Sequence, residues 1–205
     1  MPDEELHAKL LVTDTGPLIT LAAADSLDYL LYPGIPLYVA DAVLYEATVK
    51  SDALGAQSIA EWVQGNSTLV RPLFTQVFAN YLANLDKGIT RRERDMGERA
   101  VLEAIRYGLE LGADERAVFV TEDDRVVRSG YLVTIEDRSR MIAITMRDFL
   151  EGLEAAGRIN SAEEVYRRAE DAGRLAARRT VLAEQHERAR KAVETMLRRR
   201  PGEQE

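Results

Sequence analysis

Leu10-Leu11-Val12-Thr13-Asp14-Thr15-Gly16-Pro17-Leu18-Ile19 is the stretch that decides the fold. A short apolar run of strand character ends on a carboxylate. A hydroxyl, a glycine and a proline follow at once, and then a helical pattern begins. Thr15 or Gly16 can cap that helix, and Pro17 suits its first turn, where a missing N–H costs nothing. The stretch therefore reads as a buried strand that delivers Asp14 to the carboxyl edge of a sheet, where open α/β sheets keep their ligand crevices.

Working outward, the spacing predicts a helix over 17–31, broken by Tyr32-Pro33-Gly34, and a second strand over 35–39. Asp41 reads as the N-cap of a helix that carries Val43, Leu44 and Glu46. A helix over 57–63 stops at Gly65-Asn66. A third strand over 68–73 contains Pro72, which suits an edge or an end. A helix over 76–85 precedes a long one over 91–111, whose Leu102, Ile105 and Leu109 form one stripe, with Gly112 as the stop. Strands follow over 117–120, 131–135 and 141–145, then a helix over 149–156 closed by Gly157. Strands alternating with helices indicate a three-layer α/β/α domain with a mostly parallel central sheet, over residues 1–157.

Residues 158–205 have a different texture. They are rich in Ala, Glu and Arg and carry no β signal. Glu163/Arg167, Glu164/Arg168, Glu170/Arg174, Glu184/Arg188, Glu187/Lys191 and Glu194/Arg198 stand in the favourable i, i+4 order. Leu175, Leu182, Ala189 and Met196 recur every seven residues as a thin heptad seam. The expectation is a helical C-terminal extension outside the main core, available for dimerisation or a partner.

Composition narrows the chemistry. The 205-residue chain has no cysteine and only two histidines, His7 and His186, so thiolate and histidine-rich metal sites drop out and any metal is held by oxygen. That favours a hard cation such as Mg²⁺ or Mn²⁺. No apolar run suits a bilayer span and the N-terminus is acidic, which gives the expectation of a soluble, cytoplasmic protein without a membrane partner. The net charge of −8 argues against coating nucleic acid in bulk but leaves room for a local basic rim.

Several acids are placed to meet. Asp14 and Asp123 each follow a strand-like run, and parallel strands end on the same side of a sheet. Asp95 and Glu98 extend the stripe of the long helix toward its start, and Glu46 follows Val43 by three. Carboxylates forced together raise one another's pKa unless a cation sits among them. A divalent ion resolves the repulsion and suits phosphodiester hydrolysis, where charge stabilisation carries most of the work. Arg91, Arg92, Arg94, Arg125 and Arg128 flank two of the acids and could hold a nucleic-acid backbone.

Val12-Thr13-Asp14-Thr15-Gly16-Pro17-Leu18-Ile19, Val39-Ala40-Asp41-Ala42-Val43-Leu44-Tyr45-Glu46, Asp95-Met96-Gly97-Glu98 and Val120-Thr121-Glu122-Asp123-Asp124 resemble, in order, the blocks of PIN-domain nucleases, including the VapC-type toxins. The resemblance covers roughly residues 8–155. It implies a metal-dependent endonuclease acting on single-stranded RNA, possible pairing with an antitoxin, and specific positions. Asp14 matches the first metal ligand and Glu46 the second acid. Glu98 matches the third, with Asp95 competing, and Asp123 the fourth, with Asp124 adjacent. Thr15 falls where a hydroxyl often accompanies the first acid. On this reading Asp14, Glu98 and Asp123 bind Mg²⁺ or Mn²⁺, Glu46 orients or deprotonates the attacking water, and Thr15 positions a water or phosphate oxygen.

Plainer readings stand beside these. Asp14 can be a helix-capping aspartate, Glu46 a solvated helix residue, and Asp95 an acid favoured by the helix dipole. Asp-Thr-Gly is also the triplet of aspartic proteases, which are all-β, whereas Pro17 onward reads as helix. A haloacid-dehalogenase-type phosphatase needs an acid where Gly16 stands. A non-catalytic PIN-like interaction module using the C-terminal helices is the alternative from a different functional class.

Overall fold

The computed structural model describes residues 7–89, 95–109, 111–112, 115–123, 127, 141–175 and 183–198. Its strands are β1 (His7–Thr13), β2 (Leu37–Ala40), β3 (Val70–Leu73), β4 (Glu115–Thr121) and β5 (Met141–Thr145). Its α-helices are α1 (Thr15–Ala23), α2 (Asp41–Thr48), α3 (Ala56–Gly65), α4 (Gln76–Asp86), α5 (Met96–Glu103), α6 (Met146–Ala155), α7 (Ala162–Asp171) and α8 (Ala183–Arg198).

The sheet order is β3-β2-β1-β4-β5, and every neighbouring pair is parallel. The expected α/β/α architecture is present. The chain builds outward from β1 through β2 to β3, then crosses back to lay β4 on the other side of β1 and β5 beyond it. The order reverses at the β1/β4 boundary, which is the switch point where such sheets open a crevice at their carboxyl edge. Pro72 sits on β3, an edge strand, where a missing donor removes no central ladder bond. The strands read as near-continuous apolar runs because helices cover them. Val12, Leu37, Val39, Val118, Val120 and Ile144 are fully buried.

Several boundaries shift for local reasons. The helix expected over 17–31 ends at Ala23. Ser26 N–H reaches back to Leu21 O and Asp25 N–H to Ala22 O, with Asp25 at φ 51°, and a 3₁₀ turn (Leu27–Leu31) follows. Asp41 is not the N-cap of α2 but its first residue. Its Oδ1 accepts from Ala42 N–H and Thr75 Oγ1, and its Oδ2 accepts from Thr75 N–H, which ties α2 to the start of α4. The long helix is cut down to α5 and a π-helical turn (Ala104–Gly108), and Leu109 is already extended, so Gly112 stops nothing. The expected stripe is only part of its buried face. Ile105 is buried and Leu109 packs against the core, whereas Leu102 is half-buried. Met96, Gly97, Ala100, Val101 and Ala104 also face the core, where small residues let α2 approach closely. The strand expected over 131–135 lies outside the described residues.

The helices of 158–205 do not stand outside the core. Ile159, Ala162, Val165, Tyr166 and Ala169, and then Ala189, Val193, Met196 and Leu197, belong to the same hydrophobic cluster as the sheet. α7 packs on α1 and α6, and α8 packs on α6, β1 and β5. Ala189 and Met196 therefore spend their heptad spacing on this chain's own core, whereas Leu175 is exposed and Leu182 lies outside the described residues. A fully buried side chain the size of Val193 or Met196 contributes roughly 1.5–3 kcal/mol, enough to dock a helix whose intrinsic stability is marginal. Of the expected i, i+4 pairs, the arginines at 168 and 174 reach elsewhere. Arg168 Nη2 donates to Ser26 Oγ (2.9 Å) and Arg174 Nε to Thr20 Oγ1 (3.1 Å), both fastening the C-terminal segment to the first helical region.

α6 and α8 meet at Gly152, where an added Cβ would lie 2.6 Å from Val193 Cγ1. Gly152→Ala is expected to lower stability by about 1–3 kcal/mol through overpacking, read as a lower urea midpoint. A helix α8 that did not dock here would leave the midpoint unchanged or raise it.

Candidate active site

β1 ends at Thr13, in register with Val39 of β2 and Val120 of β4, so the next residue emerges at the crevice. That residue is Asp14. It is the N-cap of α1, one position before the expected Thr15, and its Oδ1 accepts from Gly16 N–H at 3.2 Å. Capping occupies only one of its oxygens. Oδ2 accepts a 2.5 Å hydrogen bond from Thr121 Oγ1 at the end of β4, and Thr121 Oγ1 in turn accepts from Asp123 N–H at 3.0 Å. The capping reading and the site reading of Asp14 thus coexist. One oxygen secures the helix, and the other is wired to the strand end that carries Asp123.

Asp14 is half-buried, and its carboxyl is packed tightly enough to change its chemistry. Burial raises its pKa to about 7, the hydrogen bond from Thr121 and the Gly16 N–H oppose the rise, and the charges of Glu122 and Asp123 add to it. An acid at the carboxyl edge whose pKa is pushed toward neutrality, chiefly by its burial, is the kind of group that functional sites hold.

A second contact chain starts from Thr15. Its Oγ1 donates to Glu46 Oε2 at 3.3 Å, and the same Glu46 oxygen would stand 2.8 Å from a Cβ on Gly97. Glu46 is exposed as a residue, yet its carboxylate is turned toward the start of α1 and the first turn of α5. Glu98, next to Gly97, is half-buried in that turn, whereas Asp95 is an exposed N-cap in the left-handed region at φ 59°. Asp95 therefore does not extend an inward face of the helix. Four separate segments meet at one edge: the end of β1, α2, the start of α5 and the end of β4.

Glu122 takes a different direction from Asp123. It pairs with Arg174 (Nη2 to Oε2, 2.8 Å), accepts from Thr20 Oγ1, and lies against Gly16, where a Cβ would come within 3.0 Å of its Oε2. Only 9% of its side chain is exposed. Its charge is thus engaged on the α1 side, while Asp123, whose N–H donates to Thr121 Oγ1, stands close enough for its charge to act on Asp14. Asp124, Arg91, Arg92, Arg94, Arg125 and Arg128 lie outside the described residues. Among the described residues, no three acidic or histidine side chains stand together in ion-binding geometry.

Three participants are absent from the reading of the residues alone. Thr121 carries a strand-end hydroxyl, a signal visible in Val120-Thr121-Glu122. Gly97 lies in the first turn of a helix, where only the lack of a side chain admits Glu46. Arg174 has no local signal, since its partner is 52 residues away along the chain. Comparison with known proteins returned no match to any family model, curated protein or solved structure. Among the described residues no helix is long and apolar enough to cross a membrane.

Because folding raises the pKa of Asp14 above its unfolded value, the folded state holds the extra proton between about pH 4 and pH 7. Stability in EDTA should therefore fall as pH rises through that window. Asp14→Asn, which cannot ionise, should melt higher than the parent at pH 8, at about 2–4 °C per kcal/mol gained, and nearly level with it at pH 4.5. Equal differences at both pH values would show that Asp14 ionises normally.

Proposed function

We propose that this chain is a metal-dependent endoribonuclease that cleaves single-stranded RNA at the carboxyl edge of its sheet. The observation that carries the reading is the wiring of Asp14 to the end of β4 through Thr121, with Thr15, Glu46 and Gly97 closing the opposite side. Oxygen donors alone, one of them an acid whose charge is destabilised chiefly by burial and further by Glu122 and Asp123, suit Mg²⁺ or Mn²⁺. The PIN-domain resemblance of the four blocks supports the same assignment, as a similarity of pattern.

In this mechanism Asp14 and Asp123 would hold the cation, with Glu98 as the third acid, and a bound ion would supply a lowered pKa for water and neutralise charge building on the phosphate. The chain's own groups do the rest. Thr121 keeps Asp14 Oδ2 aimed across the β1/β4 boundary, while Gly16 N–H restrains the other oxygen. Thr15, by donating to Glu46, orients that carboxylate to accept a proton from the attacking water. Arg174 draws Glu122 aside, so one fewer charge opposes an incoming phosphate. A toxin role held in check by an antitoxin is compatible with this chemistry and would be marked by a short gene overlapping this one upstream.

Two measurements test the assignment. Asp14→Asn should cut single-stranded RNA in Mn²⁺ at least about 100-fold more slowly than the parent, a loss of about 2.7 kcal/mol in transition-state stabilisation. Mn²⁺ should raise the melting temperature of the parent and not of Asp14→Asn, since only a folded acidic site is stabilised by the ion. Unchanged cleavage by the variant would dismiss the proposal. A parent indifferent to Mn²⁺ would favour the non-catalytic interaction module.

A further inference from the structure

Away from the sheet edge, the 3₁₀ turn (Leu27–Leu31) and α3 form the walls of a cleft of about 510 Å³. Its lining pairs three carboxylates, Asp25, Asp28 and Glu61, with three aromatic rings, Tyr29, Tyr32 and Trp62. No basic side chain is among the described residues that line it. The rings are held in place. Tyr29 and Tyr32 lie 5.0 Å apart between centroids at 41°, and Trp62 is anchored by its Nε1–H donating to Asp28 Oδ1 at 2.7 Å. Asp25 sits just past the end of α1, where the helix dipole adds negative potential. Arg168, which is not among the lining residues, hydrogen-bonds the buried Ser26 of the lining.

We propose that this cleft is a docking site for an arginine-bearing segment of a partner polypeptide. Charge complementarity requires a cation, and three carboxylates exceed what one monovalent group neutralises. Aromatic faces beside carboxylates narrow the cation to a planar one. A guanidinium stacks on a ring through its face while its edge N–H groups reach carboxylates, whereas an ammonium is a compact, strongly hydrated point charge. Trp62 presents the ring type with the strongest attraction for a cation, and Asp28, already fixed by Trp62, keeps a second oxygen for an incoming donor. The cleft opens at the surface, with Tyr32 and Glu61 exposed, so a side chain delivered from outside reaches it without rearrangement of the core. The site is separate from the acids around Asp14 and does not rest on the nuclease reading.

Trp62 is the single tryptophan of the chain, so emission excited beyond the tyrosine absorption band reports on this cleft alone. The full-length protein is titrated at low ionic strength with a capped peptide carrying two arginines, the same peptide carrying citrulline in their place, and spermidine. The arginine peptide should change Trp62 emission saturably. Citrulline, planar but uncharged, should bind at least about tenfold more weakly, and so should spermidine, charged but not planar. Asp28→Asn combined with Glu61→Gln should weaken the arginine peptide about tenfold or more by calorimetry, with an unchanged melting temperature; both residues are exposed. Trp62→Phe should weaken it less, because a smaller ring remains. Citrulline binding as well as arginine, spermidine matching the peptide, or a double variant that binds normally would each overturn the proposal.

Discussion

The parallel alignment of β4 beside β1 is the constraint on which the molecule depends. Thr13 and Val120 stand in register, so the two strands finish together and the residues that follow must share one small volume. From that alignment come the hydrogen bond of Thr121 to Asp14 and the placement of Asp123 behind it. A slip of one residue would exchange the side chains of β4 between the two helical layers, and the close packing of both layers opposes it. The crevice is therefore as precise as the core that sets the register.

Crowding acids at such an edge has an electrostatic consequence that the fold manages with parts distant in sequence. Asp14 resists ionisation, with Glu122 and Asp123 among the reasons. Glu122 is drawn to the α1 side by Arg174 and Thr20. The C-terminal segment thus does more than bury apolar surface through α7 and α8. It also supplies the guanidinium that takes one carboxylate out of contention, and Arg168 fastens the same segment to the turn after α1. Removing the segment would expose core and return an unpaired charge to the neighbourhood of Asp14 in one stroke.

Much of the local structure was legible because it follows from neighbours in sequence. The apolar runs ending on Asp14 and Asp123, the edge character of Pro72, the closure of α6 by Gly157 and the stop of α3 at Gly65-Asn66 all rest on short-range chemistry. The failures have a common cause. Asp41 looks like a cap until Thr75 is brought against it, and the stripe of Leu102, Ile105 and Leu109 looks like the whole buried face until Gly97 and Ala100 admit α2 beside it. The thin heptad of Ala189 and Met196 has the spacing of a coiled-coil seam. Only the proximity of α6, β1 and β5 shows that it faces inward.

Residue order alone therefore determined that this chain makes an α/β sheet with helices around it, and that acids follow two of its strands. Periodicity and turn chemistry act within a few residues and leave a record in any window of that length. Only the tertiary structure decided that Asp14 meets Thr121, that Glu46 faces Thr15 and Gly97, and that Glu122 belongs to Arg174. Those contacts join positions separated by tens of residues. Their energies depend on distances that strand order and helix packing set, and no local pattern encodes them.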